Sequence, residues 1–220
     1  MSRGSAPAAG EPPETCSLCP RLALFRAESR AAEPHWHNAP VPSFGPPDAR
    51  LLIVGLAPGL KGANRTGRPF TGDYAGELLY ETLIDFGFAR GRYLASPDDG
   101  LVLADCMITN AVRCVPPENK PTTAEIATCR SFLGRRIAAM ERLAVVLALG
   151  RIAHDSTLAA LGESRARNAF GHGRRHALGQ GRALFDSFHC SRYNTNTGRL
   201  TREMFRAVFA AIRAELDCAQ

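Results

Sequence analysis

Three largely apolar stretches rich in Val, Leu or Ile, and a fourth stretch that includes polar residues, alternate along the chain with segments in which apolar residues recur every three or four positions. An uninterrupted apolar run is typical of a strand buried on both faces of a parallel sheet. A period of 3.6 residues is typical of an amphipathic helix. The predicted strands are 51–56, 101–109, 143–149 and 183–189, and the predicted helices are 75–86, 122–142, 151–161 and 199–216.

This order of strands and helices indicates an α/β domain in which right-handed crossovers connect parallel strands. A capping box, Thr122 to Glu125 in the pattern T-x-x-E, marks the start of one helix. The segment 162–182, rich in Arg and His, is predicted to be an irregular loop or a hairpin. Ligands of such sheets bind beyond the carboxyl ends of the strands, so the loops after the first, second and fourth strands are expected to line one crevice.

Length and composition describe one soluble globular domain. The chain has 220 residues, of which 45% are hydrophobic and 22% charged, and this is enough to bury one core. We assign residues 15–217 to that domain and residues 1–14, which lack the apolar centre of a secretory signal, to a disordered tail. The absence of an apolar run long enough to span a bilayer predicts a cytoplasmic protein without membrane contact. The formal charge of +6 suits a polyanionic partner without proving one.

Four of the seven cysteines form two pairs. Cys16 and Cys19 have the spacing C-x2-C, and Cys114 and Cys129 lie fifteen positions apart. Four thiolates can close around a tetrahedral zinc ion or an iron–sulfur cluster, and the spacing alone does not choose between them. Unrelated thiols are the remaining interpretation. Cys106 lies inside a predicted strand and is expected to be a core residue.

A loop rich in glycine follows the first predicted strand. The stretch GLAPGLKGANRTGRPFTGD, residues 55–73, contains five glycines and two prolines. Glycine permits φ > 0 and lets main-chain N–H groups approach a ligand closely, but glycine alone is weak evidence for a site.

Four segments together resemble motifs of the uracil-DNA glycosylase superfamily and, within it, of the family 5 enzymes. The segments are GLAPG (55–59), NRTGRPFTGD (64–73), TNAVRCVPPENKPT (109–122) and HCSRYNTNTGRLT (189–201). The resemblance implies a three-layer α/β/α sandwich with a central four-stranded parallel sheet. It also implies a DNA repair enzyme that hydrolyses the N-glycosidic bond of uracil, and of hypoxanthine or other damaged bases, to leave an abasic site.

Further features of this chain follow from the same resemblance. Ala57 stands where many other glycosylase families hold Asp or Asn to position the attacking water, and this alanine is shared by family 5. Cys190 and Tyr193 stand where the last motif, H-P-S-P-x-N, commonly has prolines or another residue, and a proline there would stiffen the loop. The implied cofactor is a four-iron four-sulfur cluster, with ligands that map onto Cys16, Cys19, Cys114 and Cys129.

Excision of a base requires the base to leave the duplex and enter a pocket. The resemblance makes Phe70 the candidate for stacking on the base, Asn110 for reading its edge and His189 for donating a hydrogen bond to its oxygen. Without the resemblance, each of these three residues is more simply interpreted as structural. Main chain at Gly55, Ala57 and Gly59 is expected to contact the substrate.

The residue that handles the attacking water is less clearly marked. Asn64 can orient a water and Asp73 can act as a general base, so both are assigned to catalysis, with Asn64 preferred. The alternative is that water attacks an oxocarbenium ion with little help from the protein.

DNA is the expected partner, and the chain is expected to act as a monomer. Contacts to phosphates come mainly from Arg and other polar donors. Two further hypotheses remain open: a catalytically silent iron–sulfur module that binds nucleic acid, and a glycosylase of the family 4 type. The predicted DNA-binding residues are Arg65, Arg68, Arg192, Asn194 and Arg199.

Overall fold

A computed structural model describes residues 10–218 and places a five-stranded sheet at the centre of the chain. The strands are β1 (Leu51–Gly55), β2 (Ala89–Arg90), β3 (Val102–Leu103), β4 (Cys106–Asn110), β5 (Val145–Leu149), β6 (Arg175–Ala177) and β7 (Ala183–Ser187). The helices are α1 (Pro20–Ala32), α2 (Ala63–Thr66), α3 (Tyr74–Asp85), α4 (Thr123–Ala138), α5 (Arg151–Leu161), α6 (Arg192–Asn196) and α7 (Arg202–Cys218).

The strand order is β4-β1-β5-β7-β6, and the first four strands are parallel. The prediction of a four-stranded sheet was therefore wrong by one strand, because β6 pairs antiparallel with β7 at the edge. In β6 only His176 is buried, so this strand has no apolar run that would reveal it. The predicted strand 101–109 is divided at Asp105, whose φ of 56° turns the chain, and β3 pairs with β2 in a separate two-stranded sheet.

The sheet is covered by helices on both faces, as the α/β/α sandwich requires. Residues of β1 alternate between the two cores: Leu51 and Ile53 pack with α3 and α7, whereas Leu52 and Val54 pack with α4 and α5. Every residue of β1, β4, β5 and β7 is buried. Burial on both faces explains the uninterrupted apolar sequences of β1 and β5, whereas β7 also buries the polar Asp186 and Ser187. The capping box at the start of α4 is confirmed.

The N-terminal boundary differs from the prediction. Residues 1–9 of the predicted tail lie outside the described residues, whereas residues 10–14 pack against the domain. The carboxylate of Glu11 is 3.0 Å from the guanidinium of Arg113 and 2.7 Å from that of Arg136, and both arginines are buried. Buried guanidinium groups require a counter-charge, and Glu11 supplies it from a segment too polar to be recognised as ordered. None of the described helices has the length and apolarity needed to cross a bilayer.

Candidate active site

A cleft of about 670 Å³ opens where the loops after β1, β4 and β7 meet at the carboxyl ends of the strands. Phe70, Asn110 and His189, predicted from three separate motifs, all line this cleft. The rings of Phe70 and His189 stack with centroids 5.7 Å apart and planes at 27°. The remaining predicted residues in the lining are Ala57, Gly59, Asp73 and Arg192.

Phe70 is held in an uncommon backbone conformation. Its φ of 55° lies in the left-handed region, which a bulky side chain adopts only when its surroundings enforce it. The hydroxyl of Tyr93 donates a hydrogen bond to the Phe70 carbonyl at 3.1 Å, and the hydroxyl of Tyr80 donates to the Pro69 carbonyl at 2.6 Å. These bonds fix the ring at the wall of the cleft before a substrate arrives.

Arg68 belongs to this scaffold and is not available to DNA, so its assignment as a DNA-binding residue was wrong. The residue is 5% exposed, and its side chain forms two hydrogen bonds with the Asp99 carboxylate, at 2.8 and 2.7 Å. The guanidinium also lies over the rings of Phe44 and Tyr80, at 5.2 and 5.4 Å from their centroids. The hydrogen bonds from Arg68 hold the pKa of Asp99 well below its ordinary value. An arginine in a glycine-rich loop suggests phosphate binding, but the sequence does not reveal a distant acidic partner.

His189 is half-buried and uncharged at neutral pH. Burial lowers the pKa of its imidazole to about 4.

The side-chain amide of Asn194 donates a hydrogen bond to the His189 carbonyl at 2.8 Å, so Asn194 fixes the loop from within. The Cys190 thiol, at a position where the resemblance led us to expect a proline, is buried and donates to the Ala75 carbonyl at 3.4 Å. Ser191 then caps α6, so hydrogen bonds stiffen a loop that lacks the expected prolines.

The Asp73 carboxylate lies in a pocket of main chain built by two glycines. A Cβ on Gly59 would be 2.7 Å from an Asp73 carboxylate oxygen, and a Cβ on Gly62 would be 2.0 Å from the carboxyl carbon. Burial raises the pKa of Asp73, and a hydrogen bond from the Ala63 N–H and the charge of Arg65 act in the opposite direction. The glycines of the loop therefore bring main chain against this carboxylate.

Asn64 does not lie where the sequence interpretation placed it. Its side chain is fully buried and is absent from the lining of the cleft. Its amide nitrogen donates to the Asn38 Oδ1 at 2.9 Å. Asn64 is therefore not positioned to orient a water in the cleft, although it is adjacent to Ala63, which contacts Asp73.

Two exposed arginines of the predicted DNA contacts, Arg192 and Arg199, line clefts that contain His189. Arg192 is exposed, lines the cleft and lies over the Tyr74 ring at 5.1 Å from its centroid. Arg199 is exposed, lies 4.5 Å from the Phe188 centroid and lines a second cleft of about 440 Å³ that also contains His189 and Asn194. Arg65 is exposed on the glycine-rich loop. Because the faces of the Arg192 and Arg199 guanidinium groups lie on aromatic rings, their N–H edges remain free to bind a phosphate.

Comparison with known proteins agrees with this arrangement. Residues 42–213 match the profile of the uracil DNA glycosylase superfamily. The chain belongs to this superfamily. Type-5 uracil-DNA glycosylases of Thermus thermophilus and Pyrobaculum aerophilum are 47% and 39% identical to it, over 88% and 92% of this chain and 90% of each relative. A type-4 uracil-DNA glycosylase of Archaeoglobus fulgidus is 37% identical over only 51% of this chain and 49% of its own. Similarity to the type-5 proteins therefore extends over most of the chain.

The four paired cysteines surround one small cavity between the N-terminal segment, the loop after β4 and α4. The rest of the cavity wall is mostly apolar, with Leu22, Val112 and Phe132 among its residues, and the Arg113 N–H donates to the Cys129 sulfur at 3.3 Å. Four thiols around one cavity form a donor set suited to a metal ion or to an iron–sulfur cluster.

Several residues of the site were missed in the sequence. Tyr80 and Tyr93 hold Phe70, and Tyr74, Asn119 and Ser191 line the cleft. Tyr74 follows Asp73 directly, and Asn119 lies inside the segment 109–122, so their positions in the motifs were a usable signal. Tyr80 and Tyr93 lie outside every motif and become visible only in three dimensions.

Proposed function

We propose that this chain is a uracil-DNA glycosylase of the type-5 group, which hydrolyses the N-glycosidic bond of uracil in DNA and leaves an abasic site. The observation that carries the proposal is the convergence of Phe70, Asn110, His189 and Asp73 on one cleft. Similarity to type-5 proteins over most of the chain supports it. We extend the proposal to hypoxanthine and other damaged bases, because the cleft has room for a purine.

Substrate binding begins with an extruded nucleotide. Unstacking costs a few kcal/mol, and stacking of the base on the preformed Phe70 ring recovers part of it. The Asn110 amide offers one donor and one acceptor, which match the O4 and N3–H of uracil. Arg65, Arg192 and Arg199 contact the phosphates on either side and hold the nucleotide in register.

Bond cleavage transfers the electron pair of the C1′–N1 bond to uracil, so that negative charge grows on the base and positive charge on the sugar. The neutral imidazole of His189 donates a hydrogen bond to a base oxygen and stabilises the anion. The ionised Asp73 carboxylate faces the sugar, orients a water and accepts its proton as the new C1′–O bond forms. Asp73 replaces Asn64 in this role, since Asn64 does not reach the cleft.

An iron–sulfur cluster of the four-iron type is the proposed cofactor. Cys16, Cys19, Cys114 and Cys129 would hold it, and it would supply cross-links between the N-terminal segment and the domain. No step of base excision passes through it. Burial raises the pKa of the Cys114 thiol to about 12 and that of Cys129 to about 11, so these groups are protonated unless a metal binds them.

The decisive experiment is base release from defined oligonucleotides. Purified protein is incubated with strands that carry one U, one hypoxanthine or one mispaired T, and abasic sites are then cleaved with alkali. Cleavage at U is expected, and Asp73→Asn should slow it strongly while the variant still binds DNA. If the protein binds DNA but no substrate yields an abasic site, a catalytically silent binding module is the better description.

A further inference from the structure

A buried hydrogen-bonded joint connects residues 36–38 with the glycine-rich loop. The N–H groups of His37 and Asn38 donate to the carbonyls of Arg65 and Asn64, at 3.0 and 3.1 Å. The Asn64 amide returns a bond to the Asn38 Oδ1 at 2.9 Å. Both asparagines are fully buried, so water cannot replace either partner if the other is removed, and the joint is expensive to break.

The Asn38 side of the joint is fixed to the cysteine-bearing end of the chain. Asn38 has a φ of 45°, and its side-chain nitrogen donates to the carbonyl of Glu33 at 2.7 Å. Glu33 ends α1, and α1 begins directly after Cys19. Arg26 of the same helix donates to the Cys16 carbonyl. A movement of α1, the helix that begins after the cysteine pair, would therefore also move Asn38.

The Asn64 side of the joint leads to the reacting carboxylate. The Asn64 N–H donates to the Gly59 carbonyl at 3.0 Å. The main chain of Gly59 and Gly62 in the same loop lies against the Asp73 carboxylate, because an added Cβ would lie 2.7 Å from it on Gly59 and 2.0 Å from it on Gly62. A displacement of Asn64 would therefore move main chain that packs against Asp73.

We propose that Asn64 is a positioning residue whose bond with Asn38 holds the main chain of residues 59–63 against the Asp73 carboxylate, so that the cysteine-bearing N-terminal segment sets the geometry of the reacting loop. The inference rests on the proposed function, because it takes Asp73 as the group that accepts the proton of water. The Ala63 bond lowers the pKa of Asp73. Loss of the joint weakens that bond and moves the pKa of Asp73 upward.

Single-turnover release of uracil from a single-stranded oligonucleotide, measured from pH 5 to pH 9, tests the joint. Asn64→Ala and Asn38→Ala are each expected to slow cleavage about 10- to 100-fold, the cost of a small misplacement of a catalytic group. The acidic limb of the profile should move to higher pH. Asn64→Ala combined with Asp73→Asn should be no slower than Asp73→Asn alone, because both changes act on the same group.

Thr157→Val is the matched control, since it removes a buried hydroxyl that donates to the Ala153 carbonyl at 2.9 Å on α5. It should lower the urea midpoint and leave the rate and the pH profile unchanged. Asn64→Ala and Asn38→Ala each remove the same hydrogen bond, from opposite partners. The test therefore requires only one of the two variants to fold. Variants that lose only stability, with the wild-type rate and acidic limb, overturn the inference alone. A full rate in Asp73→Asn overturns the role of Asp73 together with it, and a wild-type chain without uracil release overturns the proposed function as well.

Discussion

Gly55 and Asn110 are register partners at the ends of the adjacent strands β1 and β4, and no side chain fits between them. A Cβ on Gly55 would lie 2.4 Å from the Asn110 Oδ1 and 2.7 Å from the Phe70 Cζ. We expect Gly55→Ala to displace both groups that contact the base and to lower single-turnover uracil release about 100-fold, as misplaced catalytic groups do. The rate is measured beside a melting temperature that shows the fold to be retained.

The control for this change is Gly134→Ala. Gly134 lies inside α4, and the nearest atom to an added Cβ is 3.8 Å away. Alanine there should stabilise the protein by about 0.5–1 kcal/mol through its helix propensity and leave the rate unchanged. Wild-type activity in Gly55→Ala would mean that the Phe70 and Asn110 positions are not critical to cleavage.

His189 is expected to act as a neutral donor. Its pKa of about 4 means that titration of His189 should not change the cleavage rate between pH 5 and pH 8. His189→Ala should lower the single-turnover rate about 10²- to 10³-fold, the usual cost of one donor to a developing anion, and His189→Gln should lose less because an amide donor remains. A histidine-dependent limb near pH 6.5 that disappears in the alanine variant would contradict the neutral form.

Substitution of Arg68 is predicted to lower the stability of the fold, whereas substitution of Arg192 is predicted to weaken DNA binding. Arg68→Ala leaves the Asp99 carboxylate buried without its partner, and we expect a loss of about 3–5 kcal/mol in the free energy of unfolding. Arg192→Ala should leave that free energy unchanged and reduce the slope of log affinity against log salt by about one, the signature of one phosphate contact. Urea unfolding and DNA titrations at several salt concentrations measure both. An altered salt slope in folded Arg68→Ala protein would restore Arg68 to the DNA interface.

The sequence predicted those parts of the molecule that are encoded locally or carried by motifs. The buried strands, the capping box at Thr122 and the convergence of Phe70, Asn110 and His189 all belong to this class. Errors arose where a long-range partner decides the role of a residue. The Arg68 side chain is held by Asp99, and the Asn64 side chain by Asn38, and both partners come from other parts of the chain. No property of either residue in its own segment reveals that partner.

The cysteine cavity predicts a metal content that distinguishes the four paired thiols from the others. Purified protein should contain about four iron atoms per chain and absorb visible light, and Cys114→Ala should lose both. The variant should also unfold at lower urea concentration, because a ligand bound only to the folded state stabilises it. Cys106→Ala, a buried thiol within β4 and outside the cavity, should retain its iron. Zinc in place of iron would contradict the cluster.

His154 predicts a stability that declines at alkaline pH. Its Nδ1 is 2.7 Å from the Asp186 carboxylate and its Nε2 is 2.8 Å from the Asn168 carbonyl. Since both neighbours are acceptors, both ring nitrogens are best satisfied when protonated. Burial opposes the charge, but the hydrogen bond and charge of Asp186 outweigh it and raise the pKa of His154. The Asp186 carboxylate also faces His176 at 2.9 Å, so the three side chains form one buried network.

A folded-state pKa above the unfolded value of about 6.5 means that the native state binds more protons than the unfolded state between these two values. The stabilisation is therefore complete below pH 6.5 and is lost as the pH rises through the folded-state pKa. Urea unfolding at pH 6 and pH 9 should show a smaller difference in the free energy of unfolding for His154→Gln than for the wild type. The exposed His35→Gln is the control and should behave as the wild type. An equal decline in His154→Gln and wild type would place the alkaline loss in other groups.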